Sequence, residues 1–307
     1  MGSGFEGFEE YLKAGEIAYR VKKSVAKYVK PNVKLLEIAN YVEKLIKDLG
    51  GEPAFPANIS INEVAAHRSP YVDDVAVVPE NSLVKIDVGV HVNGYIADTA
   101  ITISFNDKYL RLVEAVQEAL NNALKIISNN IQLNAIGRVI ERTVKSYGYN
   151  VVRNLSGHSL GRYLIHAGEI VPNNSSFVPL GKVSAGKAYA VEPFATDGRG
   201  YVQEDRNSIQ IYALSSFNFK NLNDEERELA EYIFTKFKTL PFCERWLVDK
   251  FNDYLRLRDI LKKLTSKKVL TAYPVLVESS KGYVAQYEET VLILKDKVYI
   301  TTNPEIQ

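Results

Sequence analysis

A single cysteine, Cys243, stands in the 307 residues, so no disulfide can close within this chain. It sits in Pro241-Phe-Cys-Glu, far in sequence from all four histidines, and reads as an inert thiol rather than a nucleophile. The lack of disulfides suits a reducing compartment. Methionine and tryptophan are equally scarce, and abundant lysine and glutamate beside them hint at a thermophilic source. No apolar run approaches membrane-spanning length. A formal net charge of +1 gives no electrostatic ground for a nucleic-acid or membrane partner. The pairs Lys262–Lys263 and Lys267–Lys268 read as solvated helix faces. Met1-Gly-Ser-Gly lacks the basic and apolar regions of a secretory signal, and Glu6 occupies the position where a myristoylation pattern needs Ser or Thr. Together these absences predict a cytoplasmic protein.

What is present is enough to build a core. Hydrophobic residues make up 46% and charged residues 24%, the balance of a soluble globular protein of one large or two ordinary domains. Apolar positions recur at helical spacing over 5–30 and 34–48, with Pro31-Asn32 and Gly50-Gly51 as breaks. Strand texture follows to about 105, then a second helical pair over 107–128 and 132–148. Strands are expected near Val151 and over 187–195 and 199–213, a charged helical stretch over 222–265, and strands over 273–278, 282–294 and 297–302. Helices and strands are grouped rather than alternating, which argues for an α+β fold. No repeat or low-complexity tract interrupts the pattern.

The segment Lys85-Ile-Asp87-Val-Gly-Val-His-Val-Asn93-Gly94-Tyr-Ile-Ala-Asp98-Thr-Ala is the clearest local signal. Asn-Gly between two apolar runs predicts a two-residue hairpin loop. Val92 then faces Tyr95, Gly89 faces Asp98 and Asp87 faces Ala100. Asp87 and Asp98 become diagonal neighbours, about 7–8 Å apart at the backbone, on one face of the ribbon. Val88, Val90, Val92 and Ile101 form the other, a credible core face. Two aspartates on one strand face among apolar residues need a cation or hydrogen-bond donors. His91, beside the turn, is expected to shape that loop.

Further candidates lie downstream. His158 and His166 share the glycine-rich stretch Asn154-Leu-Ser-Gly-His-Ser-Leu-Gly-Arg-Tyr-Leu-Ile-His-Ala-Gly, where glycine permits close backbone approach. Glu192 ends an apolar run at Glu-Pro-Phe, where proline blocks continuation. Strand alternation over 283–294 puts Glu288 on one face with Val284 and Gln286, and Glu289 on the other, so only one of the adjacent glutamates can enter a given site. Each acid alone could equally be half of a cross-strand ion pair. Asp87, Asp98, Glu192 and Glu288 with His158 make four carboxylates and one imidazole. Two like charges roughly 4 Å apart repel by about 4 kcal/mol at an effective dielectric of about 20. Two divalent cations would cancel the four negative charges, and a dinuclear centre points to hydrolysis.

In these motifs the chain closely resembles the methionine aminopeptidases, specifically their type II branch of archaea and eukaryotes. The aspartate pair across a short hairpin, the histidine-bearing stretch 154–168, Glu192-Pro-Phe and Ala285-Gln-Tyr-Glu288 occur in the family's order, as does the segment Phe55 through His67. The resemblance implies a "pita-bread" α+β fold with pseudo-two-fold symmetry. It also implies a helical insertion between the last two ligands, placed here at 209–272, within one catalytic domain formed by 1–208 and 273–307. It implies removal of the initiator methionine from nascent polypeptides by a water activated between two divalent ions, which could be cobalt, manganese, iron or zinc. Asp98 and Glu288 are then the bridging ligands, Asp87 holds one ion, and His158 and Glu192 hold the other. Glu192 shuttles a proton, His166 faces the developing oxyanion and His67 the substrate or leaving nitrogen. Phe55, Ile165 and Tyr273 line a methionine slot, and the residue after methionine must be small. A monomer making a transient ribosome contact is expected. The family commonly places histidine after the last ligand, where this chain has Glu289. Prolidases and Xaa-Pro aminopeptidases share the ligand set but usually carry a longer N-terminal domain. Metal-free binding relatives of the fold lack several of the ligands found here.

Overall fold

Helical periodicity organises the first half of the chain. In the computed structural model, which describes residues 5–176 and 178–306, Tyr11, Ile17, Val21 and Val25 lie on the buried face of α1 (Phe8–Tyr28). The leading Met1–Gly4 stretch, read as no secretory signal, lies outside the described residues. Leu35, Ile38, Val42 and Ile46 form the matching face of α2 (Leu35–Asp48). Both faces pack on the ribbon of strands Leu83–Val92 and Tyr95–Ser104, where Ile86, Val88, Val90 and Ala97 join the same cluster. Each valine, leucine or isoleucine so buried contributes about 1.5–3 kcal/mol. The hairpin register is the one its turn chemistry dictates: Val92 opposite Tyr95, Gly89 opposite Asp98, Asp87 opposite Ala100.

The same design recurs in the second half. α3 (Leu110–Ile126) and α4 (Leu133–Ser146) bury Leu112, Val116, Ile136 and Ile140 against Tyr189, Val191, Val291 and Ile293. Those residues belong to a five-stranded sheet ordered Val298–Ile300, Glu289–Ile293, Lys187–Val191, Ser156–Leu160, Ile170–Pro172. Helix pair on antiparallel sheet thus occurs twice, as the α+β grouping predicts. The halves meet edge to edge, where Glu288 N donates to Ala100 O at 3.1 Å and Ala100 N to Glu288 O at 3.3 Å.

Four expected elements are divided, the strand over 187–195 being cut at Glu192–Pro193 between Lys187–Val191 and Phe194–Thr196. The helix expected from 107 opens with a 3₁₀ turn at Asp107–Tyr109, because the Asn106 side chain accepts from Lys108 N at 3.1 Å. The strand expected over 282–294 is cut between Val284–Gln286 and Glu289–Ile293, since Tyr287–Glu288 turns aside to bridge to Ala100. The charged stretch 222–265 is two helices, α5 (Asp224–Phe237) and α6 (Tyr254–Ser266). Between them lie the strand Phe242–Cys243 and a 3₁₀ turn at Glu244–Trp246, after Pro241, which has no N–H to continue a helix. A capping box starts α5: Glu226 N donates to Asn223 Oδ1 at 2.8 Å and Asn223 N to Glu226 Oε2 at 3.0 Å.

These helices have their own apolar cluster, built on Leu229, Ile233, Leu257, Ile260 and Leu261. They arise between strands Val202–Leu214 and Leu270–Glu278, whose ends pair at Leu214 and Leu270. Arg245 fastens the excursion to α2, donating to the Glu43 carboxylate at 2.6 and 2.8 Å. Cys243 is buried, with its thiol pushed up to about 12, as an inert cysteine should be. Lys262, Lys263, Lys267 and Lys268 are exposed. Among the described residues no helix is long and apolar enough to cross a membrane.

Candidate metal centre

Asp87 and Asp98 project from the same face of the hairpin into a cavity of about 240 Å³. Asn58, directly opposite Asp87 on the strand Asn58–Ile61, lines it too. Gly89 lies between the aspartates because a Cβ there would stand 2.2 Å from the Phe55 ring, which forms part of the cavity wall. The second half supplies the rest. Gly157 lets the strand Ser156–Leu160 close on Lys187–Val191; a Cβ at 157 would meet Ala190 O at 2.2 Å. That approach brings His158 and Glu192 together, with Nε2 3.4 Å from Glu192 Oε1 and 3.9 Å from Asp98 Oδ2. Pro193 ends the Lys187–Val191 strand, and the chain resumes in another sheet at Phe194–Thr196. Asn173 Nδ2 holds the turn by donating to Glu192 O at 2.9 Å and Leu155 O at 3.1 Å.

All ten residues singled out from the sequence line this one cavity: Phe55, His67, Asp87, Asp98, His158, Ile165, His166, Glu192, Tyr273 and Glu288. Asp98, His158 and Glu288 each offer an atom within 4.8 Å of the others. Asp87 flanks this trio beside Asp98, and Glu192 flanks it beside His158. Glu289 points elsewhere, bonded to Lys22 at 2.7 Å. His91 stays at the turn, where Nδ1 accepts from Gly94 N at 3.2 Å.

Burial dominates the electrostatics. It pushes Asp87 up to about 7, and lifts Asp98, Glu192 and Glu288 well above the carboxylate range, with the neighbouring acids adding to the rise. It pulls His158 down to about 3 and His67 to about 4, and lowers His166, so all three imidazoles are neutral near pH 7. Asp87 Oδ1, Asp98 Oδ1 and Glu288 Oε1 are buried with no hydrogen-bond partner. Buried oxygens left so are costly, and this donor set of carboxylate oxygens with one imidazole fits divalent cations.

His67 lies at the far wall with φ of 64°, in the left-handed region. Its Nδ1 is 3.1 Å from Pro274 O, which can only accept, so Nδ1 carries the proton and Nε2 is left as an acceptor. Tyr273 meets its ring edge-on at 5.5 Å, and His166 meets His158 at 4.4 Å. The sequence reading gave no role to Asn58, Phe194, Ile211 and Pro241, which also line the cavity. Register opposite Asp87 marks Asn58 once the strand is placed. Nothing local marks Pro241, which arrives on the helical excursion.

Comparison with known proteins agrees with this geometry. The model of metallopeptidase family M24 matches residues 9–215. A methionine aminopeptidase of Saccharolobus solfataricus is 43% identical over 95% of this chain and 96% of its own length. Among solved structures, methionine aminopeptidase from Thermotoga maritima superposes with a TM-score of 0.69 at 22% identity, over 96% of this chain and 95% of that one. A thermophilic Arx1 superposes with a TM-score of 0.84 at 16% identity, over 95% of this chain and 90% of that one. The structural likenesses establish the fold alone: the pita-bread arrangement of two helix-and-sheet halves enclosing a cavity.

Proposed function

This chain belongs to metallopeptidase family M24, and we propose that it removes N-terminal methionine from nascent polypeptides by hydrolysis at two divalent cations. The observation that carries the reading is the convergence of two buried carboxylates, Asp98 and Glu288, two half-buried ones, Asp87 and Glu192, and His158 on one cavity, with three of the carboxylate oxygens lacking any partner. The relative named methionine aminopeptidase, nearly coextensive with this chain, supports the substrate. Asp98 and Glu288 would serve both ions, with Asp87 completing one ligand set and His158 and Glu192 the other. Cobalt, manganese, iron and zinc all suit such ligands. Bound divalent cations supply Lewis acidity, which polarises a carbonyl and makes water more acidic.

The chain's own groups do the rest. Phe55, Ile165 and Tyr273, joined by Ile211 and Pro241, form the apolar slot for the methionine side chain. Neutral His67 accepts at Nε2 from the peptide N–H, and neutral His166 donates to the oxygen that gains charge. A Glu192 carboxylate oxygen takes the proton given up by the attacking water and passes it to the leaving amine. Residues 209–272 are read as a subdomain inserted into the catalytic domain of 1–208 and 273–307. The protein is read as a cytoplasmic monomer that meets its substrates in transient contact with the ribosome.

The test is turnover of a Met-Gly-Met peptide with added cobalt or manganese, before and after chelation. Methionine release that chelation abolishes is expected, and Glu192→Gln should slow it by about 10²–10⁴-fold. Release beside proline instead would favour a prolidase. No turnover with any metal would favour a binding protein on the same fold.

A further inference from the structure

Behind the two shared ligands lies a buried network that the reaction does not use. Lys22 reaches from α1, with its side chain 11% exposed, and donates to both carboxylate oxygens of Glu289 at 2.7 Å. It also donates to Thr99 Oγ1 at 2.7 Å. Thr99 follows Asp98 and Glu289 follows Glu288. The Thr99 hydroxyl has one proton and two acceptors within reach: Glu288 O at 2.8 Å and Glu289 Oε2 at 3.2 Å. The shorter contact takes it, so the chain of donation runs Lys22 to Thr99 to the backbone of Glu288. Asn303 Nδ2 donates to the other Glu289 oxygen at 3.1 Å. On the far side of the same junction, Thr290 Oγ1 donates to Asp98 O and accepts from Asp98 N, both at 2.8 Å.

We propose that Lys22, Thr99 and Glu289 are positioning residues that hold the Asp98 and Glu288 backbones at the separation two cations require; this rests on the metallopeptidase reading. The Ala100–Glu288 bridge and these hydroxyl contacts join the two segments right beside the ligands, and Thr102 Oγ1 continues the seam by donating to Gln286 O at 2.7 Å and accepting from Gln286 N at 2.8 Å. The network also cancels the charge of Glu289. A carboxylate adjacent to the last ligand would otherwise add a fifth negative charge to the site, and Lys22 neutralises it from the helix side. Removing Lys22 alone would therefore mix geometry with charge. Variants that keep the net charge separate the two.

The test measures manganese affinity by calorimetry, and the melting temperature of the metal-free protein to verify folding, for Thr99→Val, Thr99→Ser and the double variant Lys22→Met with Glu289→Met. Losing a group that orients a ligand from outside the coordination sphere costs about 10–100-fold in affinity. Thr99→Val and the double variant are each expected to bind manganese at least about tenfold more weakly, with Thr99→Ser matching the wild type. Wild-type affinity in either Thr99→Val or the double variant overturns the proposal. So does a loss in Thr99→Ser equal to that in Thr99→Val. A wild-type protein that binds no manganese would overturn the metallopeptidase reading as well; unaltered variants of a manganese-binding protein would overturn this inference alone.

Discussion

Asp87 is where a proton and a cation compete most evenly. Burial holds its carboxyl at about 7, whereas His158 lies at about 3 and has no proton to give up near neutrality. A cation entering below pH 7 must displace the Asp87 proton; one entering above does not. Manganese affinity should therefore rise as pH rises through 7, with the Asp87 proton released on binding at the acid end in addition to those that the raised Asp98, Glu192 and Glu288 carboxyls give up. The same shift acts on the metal-free protein. The folded value of Asp87 lies above the unfolded one of about 3.9. Its contribution to stability is thus complete below the unfolded value and lost as pH rises through 7. Calorimetry at about pH 6 and pH 8, in buffers of different ionisation heat, measures affinity and proton release together. Equal affinities with no buffer dependence would sink the account. Sequence made the Asp87–Asp98 pair legible because Asn93-Gly94 fixes the register and therefore the face. The protonated nitrogen of His67 was not legible, since its partner is a backbone carbonyl over two hundred residues away.

At the scale of elements, the site depends on how closely strands approach. Gly157 is the sharpest case: an added methyl would stand 2.2 Å from Ala190 O, a backbone atom that cannot rotate away. Gly157→Ala should force Ser156–Leu160 off Lys187–Val191 and carry His158 away from Glu192. The expected cost is about 1–3 kcal/mol in denaturant unfolding, with weakened manganese binding alongside. A variant with the wild-type unfolding midpoint would show that the sheet absorbs the methyl without strain. Amphipathic helices were readable because a 3.6-residue period needs no knowledge of the partner. The break between Val284–Gln286 and Glu289–Ile293 was not, because Glu288 leaves its strand for bonds to Ala100 on a distant hairpin. Alternation still sent Glu288 inward and Glu289 outward, since the break spares the parity of the two residues.

Across the whole molecule, the helical excursion helps to wall the cavity from a part of the chain that supplies none of the proposed metal ligands. Arg245, with Trp246 Nε1 at 2.8 Å, satisfies a buried Glu43 on α2, and Pro241, four residues before Arg245, lines the cavity. Arg245→Met leaves the Glu43 charge buried and uncompensated, at a cost of about 3–5 kcal/mol. Denaturant unfolding should register that loss, KM for a methionyl peptide should rise, and manganese affinity should stay unchanged. A fall in manganese affinity equal to the rise in KM would mean that the excursion supports the metal ligands after all. The sequence by itself determined the α+β grouping, the hairpin that pairs Asp87 with Asp98, and the identity of the acids and imidazoles lining the site. Turn chemistry, periodicity and side-chain type are local properties, readable along the chain. Tertiary structure alone decided that Pro241 would wall the cavity, that Asn58 would stand opposite Asp87, and that Lys22 would neutralise Glu289. Each of those depends on which surfaces meet once the two halves close, and no residue's immediate neighbours encode that meeting.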